Sequence, residues 1–209
     1  MLVLQNITKK FGSNPVYTIS SLELAPGLYW IKGANGSGKS TFLKMLAGLL
    51  PFSGEIKMDA VSIHKEPVKY RAAINYAAAE PIYPSFLRGT ELLNYVSQLK
   101  KGNDQQANQL KEALGIDSYL DNPTGSYSSG MLKKLSLLLA FTGNPTWILL
   151  DEPFTTLDQA SQQSLTKLIR QKREDGISFI LTSHHDIDLS SLSFSAVYRM
   201  EEQQLKYLS

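Results

Sequence analysis

The sequence has no cysteine. That excludes disulfides, thiol nucleophiles and cysteine-held metal. It has little charge imbalance: 21 basic residues stand against 19 acidic ones, a formal net charge of +2. Bulk electrostatics therefore gives no reason to expect a nucleic-acid partner. Long apolar runs are missing too. The longest strongly apolar stretch, LSLLLAF, falls far short of the ~18 residues that a membrane span needs. The opening MLVLQNITKKFG turns polar after four residues, so no signal peptide is expected. The reading is a soluble chain; if it works at a membrane, another subunit spans it. Repeats, low-complexity tracts and charge blocks are also lacking.

What is present is a strand–helix alternation. Leu2-Val3-Leu4 with Ile7 opens a strand, and Tyr29–Lys32 is a short apolar run ending at Gly33. Phe42, Leu43, Leu46, Leu49 and Leu50 recur at helical spacing until Pro51. GEIKM and AAINYAAA (72–79) read as strands. Between about 80 and 144 the pattern is helical. One helix has Leu87, Leu92, Leu93, Val96 and Leu99 on a face, a second runs through about 104–114, and a third follows Ser128–Gly130. WILL and ISFILTS are compact apolar strands, with Asp158 as an N-cap between them. AVYRM and QQLKY suit a closing hairpin. The expected fold is α/β, with a mostly parallel sheet and an inserted helical subdomain at about 80–144. The core takes about 1–79 and 145–209, within a single domain.

Residues 33–40, GANGSGKS, fit the pattern GxxxxGK[ST] between a strand and a helix. Glycines let successive amides curl around a phosphate, and a helix N-terminus adds partial positive charge. Gly33, Asn35, Gly36, Ser37 and Gly38 would form the cradle. Lys39 would reach the β- and γ-phosphates, the Ser40 hydroxyl a Mg²⁺ ion, and Thr41 the α-phosphate. WILLDEP puts two acids at a strand's C-terminal end, where open α/β sheets bind ligands. Asp151 suits a Mg²⁺ partner through water, and Glu152 a general base. Of the adjacent histidines His184 and His185, the first directly follows a strand and is preferred as a γ-phosphate or water contact. His64 lies in a weakly patterned segment and reads as surface.

The order GANGSGKST, YSSGM, WILLDEP, TTLD, TSHHD resembles the ATP-binding subunit of ABC transporters over nearly the whole chain. The resemblance implies a P-loop NTPase core with an N-terminal antiparallel β subdomain, and an ATPase using ATP and Mg²⁺ that works as a head-to-tail homodimer or as a heterodimer with a related ATPase. It also implies a separate integral membrane permease, with the chain cytoplasmic and peripheral on the inner face of the cell membrane. Phe11 would stack on adenine. Ser128, Ser129 and Gly130 would complete the partner's ATP site in trans, although the same residues are an ordinary helix cap. Asp158 would be the D-loop aspartate.

The departures are specific. YSSGM stands for LSGGQ and resembles a variant of two-component exporters of drugs, peptides or lipids. FTT stands for TSG before the D-loop, a change expected to be tolerated. Ala79 stands where the Q-loop has glutamine, with Glu80 beside it as a substitute contact for Mg²⁺ or water. Ile82, Tyr83 and Phe86 are either a permease-docking surface or lobe core. A soluble ABC-type ATPase acting on a macromolecular complex and a haem-export ATPase are the alternatives. A guanine-reading NKxD stretch is absent, against a GTPase.

Overall fold

The computed structural model describes residues 1–12, 14–184, 192–201 and 204–209, with the side chains of residues 11 and 14–17 outside the description. The order begins β1 (Leu2–Phe11), β2 (Asn14–Leu24), β3 (Leu28–Lys32), α1 (Lys39–Leu46), β4 (Ser53–Met58), β5 (Val61–Ser62), α2 (Pro67–Ala72) and β6 (Ile74–Ala77). It continues with α3 (Gly89–Lys100), α4 (Asp104–Leu114), α5 (Ser129–Phe141), β7 (Trp147–Leu150), α6 (Gln159–Glu174), β8 (Ser178–Ser183), β9 (Ala196–Glu201) and β10 (Gln204–Tyr207).

Two sheets form. One has four strands in the order β2-β1-β4-β5, and the other has six in the order β10-β9-β3-β8-β7-β6. The first is antiparallel throughout. In the second, every pairing from β9 to β6 is parallel, and only the terminal β9–β10 hairpin is antiparallel. This is the expected α/β arrangement. The central strands are apolar on both faces, as a covered parallel sheet requires. Trp147 and Leu149 of β7 point into the apolar cluster beneath α1, with Leu43 and Leu46. Ile148 and Leu150 point into a second cluster, with Leu93 of α3, Leu135 and Phe141 of α5 and Leu165 of α6. The helices between β6 and β7 therefore share their apolar cluster with the sheet.

Several boundaries differ from the expectation. Helix α1 ends at Leu46 rather than near Pro51, because the chain turns through Gly48 at φ 71°, leaving Leu49 exposed. The strand expected over 72–79 is shorter, because Pro67–Ala72 forms a helix that periodicity alone does not mark. Pro67 supplies the preset φ of a first helical position. Of the five apolar residues assigned to one helix face, Leu87 precedes α3, Leu93 is buried and Leu99 is exposed. His64 is exposed as expected, its ring nitrogen 3.2 Å from the Gly54 carbonyl.

Candidate functional site

Four strand ends build the site. β3 runs into the loop 33–38, which passes directly into α1. The Gly33 amide donates to the Ser183 carbonyl at the end of β8, which locks the loop to the sheet. Residue 33 has no room for a side chain: a Cβ there would lie 2.6 Å from the Met200 carbonyl oxygen and 2.7 Å from Ser37 Oγ. Gly36 and Gly38 take φ 78° and 103°, values that L side chains resist, and so curl the loop over the helix start. Ser37 Oγ is buried with no hydrogen-bond partner among the described residues, an orphan donor and acceptor in that curl.

Lys39 is buried, and its Nζ donates to the carbonyls of Gly33 at 2.8 Å and Ala34 at 3.1 Å. The same Nζ lies 3.4 Å from Glu152 Oε1. The other oxygen, Oε2, is within hydrogen-bond distance of His184 Nδ1, at 2.6 Å. One carboxylate thus joins the P-loop lysine to the histidine that follows β8. Glu152 sits at φ 49°, a strained conformation for a residue with a side chain, of the kind found at functional sites. Its amide donates to Thr182 Oγ1 at 3.0 Å.

Asp151 faces the other way. It is 1% exposed, and both its oxygens are engaged: Oδ1 accepts from Thr182 Oγ1 at 2.7 Å and Oδ2 from Tyr76 OH at 3.2 Å. Burial first, then the Asp151 charge and this hydrogen bond, push the Tyr76 phenol far above its ordinary range. Thr182 therefore ties the two acids together, anchoring one and fixing the backbone of the other.

The cleft in front of this network has a volume of about 590 Å³. Asn35 to Thr41, Glu80, Glu152 and His184 line it, so most of the sequence-named residues converge. Ala79, Thr155 and Thr156 line it as well. A glycine-rich loop, a helix start with no side-chain cap, a lysine, the Ser40 hydroxyl and the Glu152 and Glu80 carboxylates form a set that suits a polyphosphate with a divalent cation. Among the described residues no three acidic or histidine groups form a metal cluster. Mg²⁺ needs no such cage, since it binds through one or two protein oxygens, water and substrate phosphates.

Other named residues lie elsewhere. Ser128, Ser129 and Gly130 are outside the cleft lining, at the start of α5. Ser128 caps that helix, its hydroxyl accepting from the Met131 amide at 3.3 Å, while the Ser128 amide meets the Met131 thioether at 3.5 Å. Methionine thus fills the place in the cap that a glutamine side chain would take. Asp158 caps α6, accepting from the Ser161 amide and hydroxyl at 2.8 and 2.9 Å. Those two hydrogen bonds hold its carboxyl below the usual range. The Phe11 side chain and His185 lie outside the described residues.

Sequence reasoning misses Tyr76, Thr182 and the threonines at 155 and 156. Thr182 carries a signal: it is two residues before His184 at the end of the same strand, and alternate strand residues share a face. Tyr76 carries none, because nothing in Ile74–Ala77 marks the tyrosine as facing an acid at the end of the neighbouring strand. Lys133 is missed too, and it is 1% exposed on α5. Burial pushes its ammonium down to about 8, against the pull of Asp151, Glu152 and Glu80, which favour the charged form.

The profile of the family described as "ABC transporter" matches residues 18–155. "ATP-binding cassette sub-family A member 7" of Rattus norvegicus is 31% identical over 192 residues, covering 88% of this chain, which spans only 9% of that relative's length. "Cytochrome c biogenesis ATP-binding export protein CcmA" of Legionella pneumophila is 32% identical over 171 residues, covering 81% of this chain and 85% of its own. Among solved structures, one described as "Structure of ATP binding subunit of ABC transporter" superposes with a TM-score of 0.88 at 19% identity, covering 98% of this chain and 88% of that one. No helix among the described residues is long and apolar enough to cross a membrane. With the family profile spanning the P-loop and both acids, and the fold shared from end to end, the chain belongs to the ABC transporter family as one of its ATP-binding subunits.

Proposed function

We propose that the chain is a Mg²⁺-dependent ATPase that powers a separate membrane permease, in the export direction. The observation that carries this reading is the Lys39–Glu152–His184 triad at the rim of the P-loop cleft. The lysine is poised to leave two loop carbonyls for the β- and γ-phosphates. The Glu152 carboxylate is then positioned to accept the proton of a water that attacks the γ-phosphorus, as the bond to the β-phosphate oxygen breaks to give ADP and phosphate. His184 holds that carboxylate in one orientation. Bound Mg²⁺ supplies neutralisation of the phosphate oxygens. Ser40 would hold it directly, with Glu80 as a further contact; Asp151, behind the cleft wall with both oxygens engaged, would reach it only through water. Asn35, Gly36, Ser37 and Gly38 would wrap the phosphates, Thr41 would reach the α-phosphate, and Phe11 would stack on the base.

The signature segment works in trans. Ser128, Ser129 and Gly130 are outside the chain's own cleft, which supports an ATP-bridged homodimer, or a heterodimer with a related ATPase, in which they face the partner's γ-phosphate. Asp158 would communicate across that dimer, and residues 80–144 would move as a lobe. ATP favours the closed pair because it binds that state better than the open one. The permease would dock at Ile82 and Phe86, which are 91% and 77% exposed, whereas Tyr83 packs on the core. In this reading the chain works at the cytoplasmic face of a membrane. The export direction draws support from the YSSGM variant and from the name of the Legionella pneumophila relative, matched over most of its length.

Calorimetry with ATP and millimolar Mg²⁺, followed by phosphate release, tests the core of the reading. Saturable uptake and hydrolysis are expected; no uptake would overturn it. Co-purification of a polytopic membrane protein tests the coupling.

A further inference from the structure

We propose that Lys133 is a positioning residue for hydrolysis: its ammonium ties the segment after β6 to the strand that carries the catalytic acid. Nζ donates to the carbonyls of Ala78 at 3.1 Å, Ala79 at 2.6 Å and Asp151 at 3.3 Å. An ammonium has three donors, and all three are directed at main-chain oxygens. Among the described residues no carboxylate pairs with it directly. The charges that compensate it, Asp151, Glu152 and Glu80, belong to the site itself.

The placement matters because of what each end is attached to. Lys133 lies one helical turn behind Ser129 on α5, whose N-terminus carries Ser128–Gly130. Ala78 and Ala79 lead out of β6 into the cleft, where Ala79 and Glu80 are part of the wall. Asp151 directly follows β7 and precedes Glu152. A single side chain therefore joins the signature helix, the cleft wall and the catalytic strand. Ala79 has no polar side chain with which to make such a link, and the main-chain carbonyl at that position is held by Lys133 instead. Any displacement of α5 on closure pulls on both strand ends, and Glu152 is aligned only while the three carbonyls stay gathered.

This inference rests on the ATPase reading above, and the test separates the two. Lys133→Met keeps an unbranched side chain one atom shorter and removes the donors; Lys133→Arg keeps the charge and the donors. Hydrogen exchange across residues 78–88 in the nucleotide-free protein is read first. Lys133→Met should exchange about tenfold faster there, and Lys133→Arg should remain near wild type, since the arginine can still satisfy the carbonyls. Steady-state hydrolysis of Mg²⁺-ATP is read next. Lys133→Met should lose about tenfold or more in kcat with KM changed less than about twofold, and Lys133→Arg should recover most of the loss. Should Lys133→Met fail to fold, Lys133→Arg still decides: wild-type exchange and turnover support the link, while a drop in kcat and KM together with a lower Tm reduces Lys133 to ordinary packing. Wild-type turnover or unchanged exchange in Lys133→Met overturns the proposal. A wild-type chain that neither binds nor cleaves ATP overturns the ATPase reading, and the exchange result then stands as a purely structural link.

Discussion

The P-loop cleft and the start of α5 are both helix N-termini, yet they are built differently. At α1 the helix begins from Gly38 with no side-chain cap, and the charged groups in front of it are buried and neutralise one another. At α5 the helix begins from Ser128 with its cap already made by Ser128 and Met131, exposed and away from the cleft. The uncapped end leaves its amides for a ligand; the capped end is finished as it stands. A helix end carries about half a positive charge in either case. The difference is that α1 needs an anion from outside the protein, whereas α5 can offer its dipole only to something brought to it. That asymmetry fits the proposed site shared between two protomers.

The comparison can be broken most sharply at Glu152. Glu152→Gln keeps hydrogen-bonding capacity towards His184 but cannot take a proton, so turnover should fall by about 10²-fold or more with nucleotide still bound. Phosphate release and ATP-dependent dimerisation on gel filtration check this; turnover at the wild-type rate would remove Glu152 from its role. Lys39→Ala comes next. It strips the charge that faces both Glu152 and the phosphates, and ATP affinity measured by calorimetry should weaken by about tenfold to hundredfold. An unchanged affinity would mean that the loop amides alone suffice.

At the other helix, Ser128→Ala should cost about 1 kcal/mol of stability in urea denaturation through loss of the cap. It should also lower turnover more than single-chain ATP affinity. Equal losses in both would place Ser128 in the cis site and erase the asymmetry. The smallest effect is expected at Thr156, a β-branched residue held at φ 63° where its carbonyl faces Gly130. Thr156→Gly should raise stability by less than about 1 kcal/mol, because the strain relieved slightly exceeds the freedom that glycine gives the unfolded chain. A lower Tm would show that the turn is not strained but held by Thr156 Oγ1, which donates to the Thr155 carbonyl.

Much of this architecture is legible in the order of the residues. The strand before Gly33, the helix after Gly38 and the buried WILL strand lie where periodicity puts them, because each is set by residues within a few positions of one another. The end of α1 is not legible in the same way: Leu49 and Leu50 continue the apolar spacing, whereas Gly48 turns the chain first. Helix α2 escapes periodicity because its six residues bury only Tyr70, too little to show a repeat.

What the sequence alone determined is the cradle: closely spaced glycines, a lysine and hydroxyls whose backbone geometry is local and cannot be assembled in many ways. Only the tertiary structure decided which of two adjacent acids faces the cleft. Successive residues at a strand end point to opposite sides, and neither Asp151 nor Glu152 carries a mark of its side until Tyr76 and Thr182, distant in the chain, claim the first. The same is true of Lys133 and Lys134. Three carbonyls at the ends of two strands drew one lysine inside, and nothing within a few residues of it names those partners.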